Sequence, residues 1–124
     1  MAQDKKVAGV RRGELYLVAF DSTIGREIKK TRLALIIQND VGNRYGDLTI
    51  VAAITSKISP VLYPVEVIVK PSSANGLKVL SAILLDQVRT VDRQRLIKRL
   101  GVIDPSTMQR VDEAIQISLG LMEV

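Results

Sequence analysis

Apolar and polar positions alternate in short blocks along most of this chain. Leu15 to Phe20 is apolar on both alternating sets of positions and stops at Asp21-Ser22-Thr23-Ile24-Gly25, a run of turn residues. That pattern predicts a strand buried on both sides, as in a small closed barrel. Two further apolar runs, Arg32 to Gln38 and Thr49 to Thr55, flank a polar segment rich in Gly, Asn and Asp. Short β-rich runs bounded by turn residues predict strands, and the polar loop between them predicts an antiparallel pair. If the loop ends match, Gln38 faces Thr49 and Arg32 faces Thr55. Side chains alternate between faces, so Arg32, Ala34, Ile36 and Gln38 then share a face with Thr49, Val51, Ala53 and Thr55. A slip of one residue would put the guanidinium and the hydroxyl on opposite faces.

The same reading carries on down the chain. Ser56 to Pro60 and Tyr63-Pro64 form a linker, and Val65 to Lys70 alternates as a strand. Pro71 to Gly76 is a loop, with Asn75-Gly76 suited to a turn that needs positive φ. Ala82 to Leu85 predicts a buried strand continuing through Asp86-Gln87-Val88-Arg89. Asp92 to Arg95 predicts one helical turn, and Leu96 to Val102 a last strand with Lys98 and Arg99 exposed. Asp104-Pro105 opens a helix, with Asp as N-cap and Pro where its missing N–H costs nothing. Met108, Val111, Ile115, Leu119 and Met122 recur at helical spacing and predict one apolar stripe against the sheet. The first residues are small or charged without a period, so 1–11 reads as a flexible arm and 12–124 as a single domain. Gly25 to Thr31 holds four charges in seven residues and by composition alone is a solvated hairpin loop.

Composition narrows the chemistry. The 124 residues are 47% apolar and 25% charged, which fits one globular domain. No apolar run approaches the roughly 18 residues of a membrane span, and the start lacks the apolar segment of a secretory signal. The absence of cysteine excludes disulfides and thiol catalysis and fits a reducing cytoplasm. The absence of histidine excludes imidazole acid–base chemistry, Ser-His-Asp triads and ordinary zinc sites. Catalysis must then rest on carboxylates, Arg, Lys, Tyr or hydroxyls. A net charge of +5 favours a polyanionic partner. With aromatics confined to Tyr16, Phe20, Tyr45 and Tyr63, a broad base-stacking platform is not expected.

The pattern Arg32-x-x-x-Ile-Ile-Gln-Asn-Asp-x-Gly-Asn, followed by Val51-Ala-Ala-Ile-Thr55, resembles the core of the MazF/PemK toxin ribonucleases. The likeness runs from Arg12-Gly13-Glu14 through Leu85-Asp86-Gln87-Val88-Arg89-Thr90 to Ile117-Ser-Leu-Gly-Leu121, about nine-tenths of the chain. It implies a mostly β, α+β fold: a small SH3-like antiparallel barrel with a C-terminal helix. It implies a homodimeric toxin of a toxin–antitoxin pair that cuts single-stranded RNA at short sequences without metal or other cofactor. The products would carry a 2′,3′-cyclic phosphate and a 5′-hydroxyl, and an acidic antitoxin tail would compete with RNA for the groove. Arg32 and Thr55 are implied as the catalytic pair, with Glu27 assisting. Gly25, Arg26, Lys29, Lys30, Asn39, Ser56, Lys57, Asp86 and Gln87 are implied as the RNA-binding set. The chain departs from the family where Lys29-Lys30 replaces a small pair and Leu33 a proline, which bears on loop shape and sequence preference.

The residues themselves support that chemistry. An RNA strand carries its own nucleophile, the 2′-hydroxyl, and a planar guanidinium can donate paired hydrogen bonds to the phosphoryl oxygens as they gather charge. Thr55 can add a donor, and Glu27 can accept the 2′ proton. Gln87 can read base edges and Asp86 can accept from an amino group, or Asp86 merely ends a strand beside Arg89. Other functions stay open: a gyrase-poisoning toxin of the CcdB kind, disfavoured by a Trp-free chain end, or an inactive small-barrel RNA-binding module.

Overall fold

The computed structural model describes residues 9–20 and 30–124, and of Lys30 the backbone alone. Glu27, Gly25, Arg26 and Lys29 lie outside the described residues, as does the Lys30 side chain. Among the described residues six strands form one antiparallel sheet: β1 (Glu14–Phe20), β2 (Lys30–Ile36), β3 (Leu48–Thr55), β4 (Glu66–Val69), β5 (Ser81–Asp92) and β6 (Leu96–Val102). Helix α1 (Asp40–Tyr45) joins β2 to β3, a 3-10 turn at Arg93–Arg95 joins β5 to β6, and α2 (Pro105–Ser118) ends the fold. The strand order is β4-β5-β3-β2-β1-β6.

Alternation along β1 sends its side chains into separate cores. Leu15 joins Leu35, Ala52, Ile54, Ile83 and Leu85 on the face that α2 covers with Val111 and Ala114. Tyr16, Val18 and Phe20 join Ala34, Ile36, Val51, Val91 and Leu96 on the other face. The strand is thus buried on both sides, as its unbroken apolar run predicts. The closed barrel is a correction: among the described residues no ladder joins β4 to β6, so the sheet is open. Closure would need the edges to meet, but β4 is short and pairs only with the first half of β5. Beyond Leu84 the β3–β5 register breaks and resumes at Val88, and no ladder continues β4 along that second half of β5.

Three boundaries differ from the sequence reading. The polar segment after Gln38 contains a helix. Asn39 caps it by accepting the Gly42 N–H at 2.7 Å, and Asn43 is buried beneath it. Strand β5 runs on to Asp92 rather than Arg89. The apolar stripe on α2 stops early: Met108, Val111 and Ile115 pack on the sheet, whereas Leu119 and Met122 are exposed. The cause is Gly120, whose φ of 77° takes the left-handed conformation that ends a helix. The start of α2 is as predicted, with Asp104 accepting the Thr107 N–H at 3.0 Å and Pro105 in the first turn. Gly76 takes the expected positive φ, 76°.

Candidate active site

The β2–β3 ladder fixes the site. Ala34 pairs with Ala53, Leu35 with Ala52 and Ile36 with Val51. Continued toward the start of β2, that register sets Arg32 opposite Thr55, as the matched-loop argument predicts. Both belong to the face of Ala34, Ala53 and Ala82, since Ala82 pairs with Thr55. Arg32 is exposed, and its guanidinium has no hydrogen-bond or carboxylate partner among the described residues. An unspent guanidinium offers all its N–H donors to a ligand.

Thr55 is half-buried, and its Oγ1 accepts the backbone N–H of Lys57 at 3.1 Å. A hydroxyl has one donor and two acceptor positions. The Lys57 amide occupies an acceptor position and leaves the O–H directed elsewhere, available to an incoming anion. Ser56 and Lys57 follow at once and are exposed. Donors from adjacent strands therefore converge on one surface.

The other expected site residues are placed unevenly. Asp86 and Gln87 are exposed in the β5 bulge, where Ala52 pairs with Val88 and Ala53 with Leu84. Residues 85–87 of β5 have no partner on β3 there, close along β3 to Thr55. Asn39 stands apart. It lies seven residues beyond Arg32, roughly 20 Å along an extended strand, and its side chain caps α1.

A model of the PemK-like, MazF-like toxins of type II toxin–antitoxin systems matches residues 11–119. The chain belongs to this toxin family. It is similar to Endoribonuclease EndoA of Bacillus subtilis (strain 168), 41% identical over 114 residues, spanning 92% of this chain and 97% of the relative. Its fold matches an endoribonuclease solved in complex with its cognate antitoxin from Mycobacterial species. The TM-score is 0.75 at 24% identity, covering 94% of this chain and 100% of that one. It also matches a MazE–MazF structure (Form-I) from Deinococcus radiodurans, TM-score 0.67 at 25% identity over 90% of this chain and 96% of that one.

Within the toxin, a polar network that the sequence did not reveal holds the far end of the β2–β3 pair. Asn43 accepts from Gln38 Nε2 at 3.0 Å and from Thr49 Oγ1 at 2.7 Å, and donates to the Gln38 carbonyl at 3.0 Å. Burial makes these bonds costly to lose, so the network pins the register that aligns Arg32 with Thr55. The Arg12 backbone N–H donates to Asp40 at 2.7 Å, and that bond is the first cause of a carboxyl pKa below the usual range.

Tyr16 is no candidate base. Burial, then the neighbouring Glu14 carboxylate, push its phenol up to about 12. Among the described residues no group of acidic side chains is arranged to hold a metal ion. Sequence reasoning also left out Arg89 and Phe20, whose guanidinium and ring stack at 4.9 Å. The available signal was period two: Arg89 shares a face with the buried Val91.

Proposed function

We propose that this toxin is a sequence-specific, metal-independent endoribonuclease of single-stranded RNA, with Arg32 and Thr55 as its catalytic pair. The observation that supports this reading is the β2–β3 register, which, continued past Ala34 and Ala53, sets Arg32, a guanidinium without a partner among the described residues, opposite the Thr55 hydroxyl. The 2′-oxygen attacks the adjacent phosphorus, the bond from phosphorus to the 5′-oxygen breaks, and the products are a 2′,3′-cyclic phosphate and a 5′-hydroxyl. Arg32 and Thr55 donate to the phosphoryl oxygens as charge develops, a role worth roughly 3–4 kcal/mol per donor. Arg32 cannot serve as base because it stays protonated. Glu27 takes the 2′ proton, and solvent protonates the departing oxygen. Lys29, Lys30, Ser56 and Lys57 hold phosphates, and Asp86 and Gln87 face the bases.

Family membership supports an antitoxin partner. Its acidic tail would compete with RNA for the same basic surface, as net charge +5 favours. The proposed working form is a cytoplasmic homodimer. Among the described residues no helix is long and apolar enough to cross a membrane.

The test is an RNA carrying a single 2′-deoxy sugar on the 5′ side of a mapped cleavage site. It should bind yet stay intact, while the all-ribose strand is cut equally well with EDTA. Cleavage of the deoxy strand, or loss of activity with chelator, would refute the mechanism.

A further inference from the structure

Phe20 is the last residue of β1 and pairs with Lys30, while Val18 pairs with Arg32. Phe20 and Arg32 are therefore diagonal neighbours on one face, roughly 7–8 Å apart. Arg89 reaches the same place from a distant strand. Its backbone pairs with Val51, on the face of Phe20, Ala34 and Ile36. Strands β3 and β2 separate β5 from β1. In a flat sheet those three spacings would hold the strands about 14 Å apart. The Arg89 guanidinium nevertheless lies 4.9 Å from the centre of the Phe20 ring, so the two side chains meet across the face of the intervening strands.

Arg89 is exposed, and the ring is its sole side-chain partner among the described residues. The ring's negative face attracts the cation without taking up its N–H groups in conventional hydrogen bonds. Packing against the ring thus restrains the fork and leaves its donors available among the described residues, and a planar fork matches the geometry of a phosphate. Arg95 adds positive charge nearby, donating to the Ala19 carbonyl at 3.4 Å.

We propose that Arg89 binds a non-scissile phosphodiester of the RNA strand whose scissile phosphate lies at Arg32, and that Phe20 is the positioning residue that holds it. The inference rests on the proposed ribonuclease reading and adds to it a residue that governs affinity rather than bond-breaking. The phosphate is favoured over a base edge because the neighbourhood is cationic and the fork lies beside the residue that meets the reacting phosphate.

The experiment uses the full chain with a 2′-deoxy-blocked RNA for binding across a salt series, and the cleavable strand at saturation for single-turnover rates. Arg89→Ala should weaken binding about tenfold and lower the slope of log affinity against log salt by about 0.7, the value for one phosphate on a single strand. It should leave the saturating rate within about threefold of wild type. Phosphate binding carries no sequence information, so the loss should be similar for cognate and scrambled strands. Arg89→Lys should restore the salt slope but only part of the affinity. Phe20→Leu should weaken binding in the wild-type background and add nothing to Arg89→Ala, a dependence that a merely structural role would not produce.

Unchanged affinity and slope in folded Arg89→Ala would overturn the proposal. So would a collapse of the saturating rate with affinity intact, or a loss confined to the cognate strand. Because binding is read on an uncleavable strand, failure of the ribonuclease reading would appear separately, as all-ribose RNA bound but uncut.

Discussion

At Thr55 the direction of one hydrogen bond carries functional weight. The Lys57 amide donates to Oγ1, so the threonine can give its own proton to a developing oxyanion. Thr55→Ser keeps that arrangement and should retain cleavage within about fivefold. Thr55→Val keeps the shape and removes the donor. It should slow the saturating single-turnover rate by about a hundredfold or more, in line with losing one preorganised donor. Its melting temperature should stay close to that of wild type, since the side chain is half-buried at a strand end. A folded Thr55→Val protein that cuts at the wild-type rate would leave the hydroxyl without a catalytic role. At this scale the sequence was informative: the matched loop ends aligned Arg32 with Thr55. The contact of Phe20 with Arg89 was not legible, because it joins strands that are neighbours neither in the chain nor in the sheet, and no local pattern encodes such a pairing.

Among the elements, α2 depends on its first turn. Asp104 accepts from the Thr107 N–H and from the Ser106 and Thr107 hydroxyls. The Ser106 bond, then the Thr107 bonds, pull its carboxyl down to about 2. The folded value lies below the unfolded one of about 3.9. The cap's stabilisation is therefore complete above about pH 4 and is lost as pH falls toward 2. Melting temperature measured from pH 6 to pH 2 should fall more steeply for wild type than for Asp104→Asn, which caps without ionising. Identical slopes would show that this carboxylate does not govern acid stability.

This cap was readable from Asp104-Pro105 because its signals are local. Helix α1 was not, because Gly42 and Asn43 are poor helix formers. It forms through the Asn39 cap and the buried Asn43 bonds to Gln38 and Thr49, partners whose proximity only the folded pair creates. The overlong stripe on α2 has the opposite origin. Leu119 and Met122 keep the period, but Gly120 ends the helix between them.

For the whole molecule, topology and charge act together. The open sheet carries Arg89 of β5 and Phe20 of β1 on one face, where their side chains meet, and net charge +5 favours a polyanionic partner. The strand set and its order of appearance were legible in the pattern. Closure was not, because it depends on whether β4 and β6 meet, and no pattern within either strand specifies that.

The proposed role of Arg32, driving RNA cleavage without supporting the fold, is decided by single-turnover cleavage of a saturating all-ribose strand by Arg32→Ala, with a thermal melt as control. The rate should fall by about a hundredfold or more with the melt unchanged, and Arg32→Lys should not restore it, because an ammonium lacks the two-pronged geometry. A folded Arg32→Ala protein that cuts RNA at close to the wild-type rate would show that Arg32 is not catalytic.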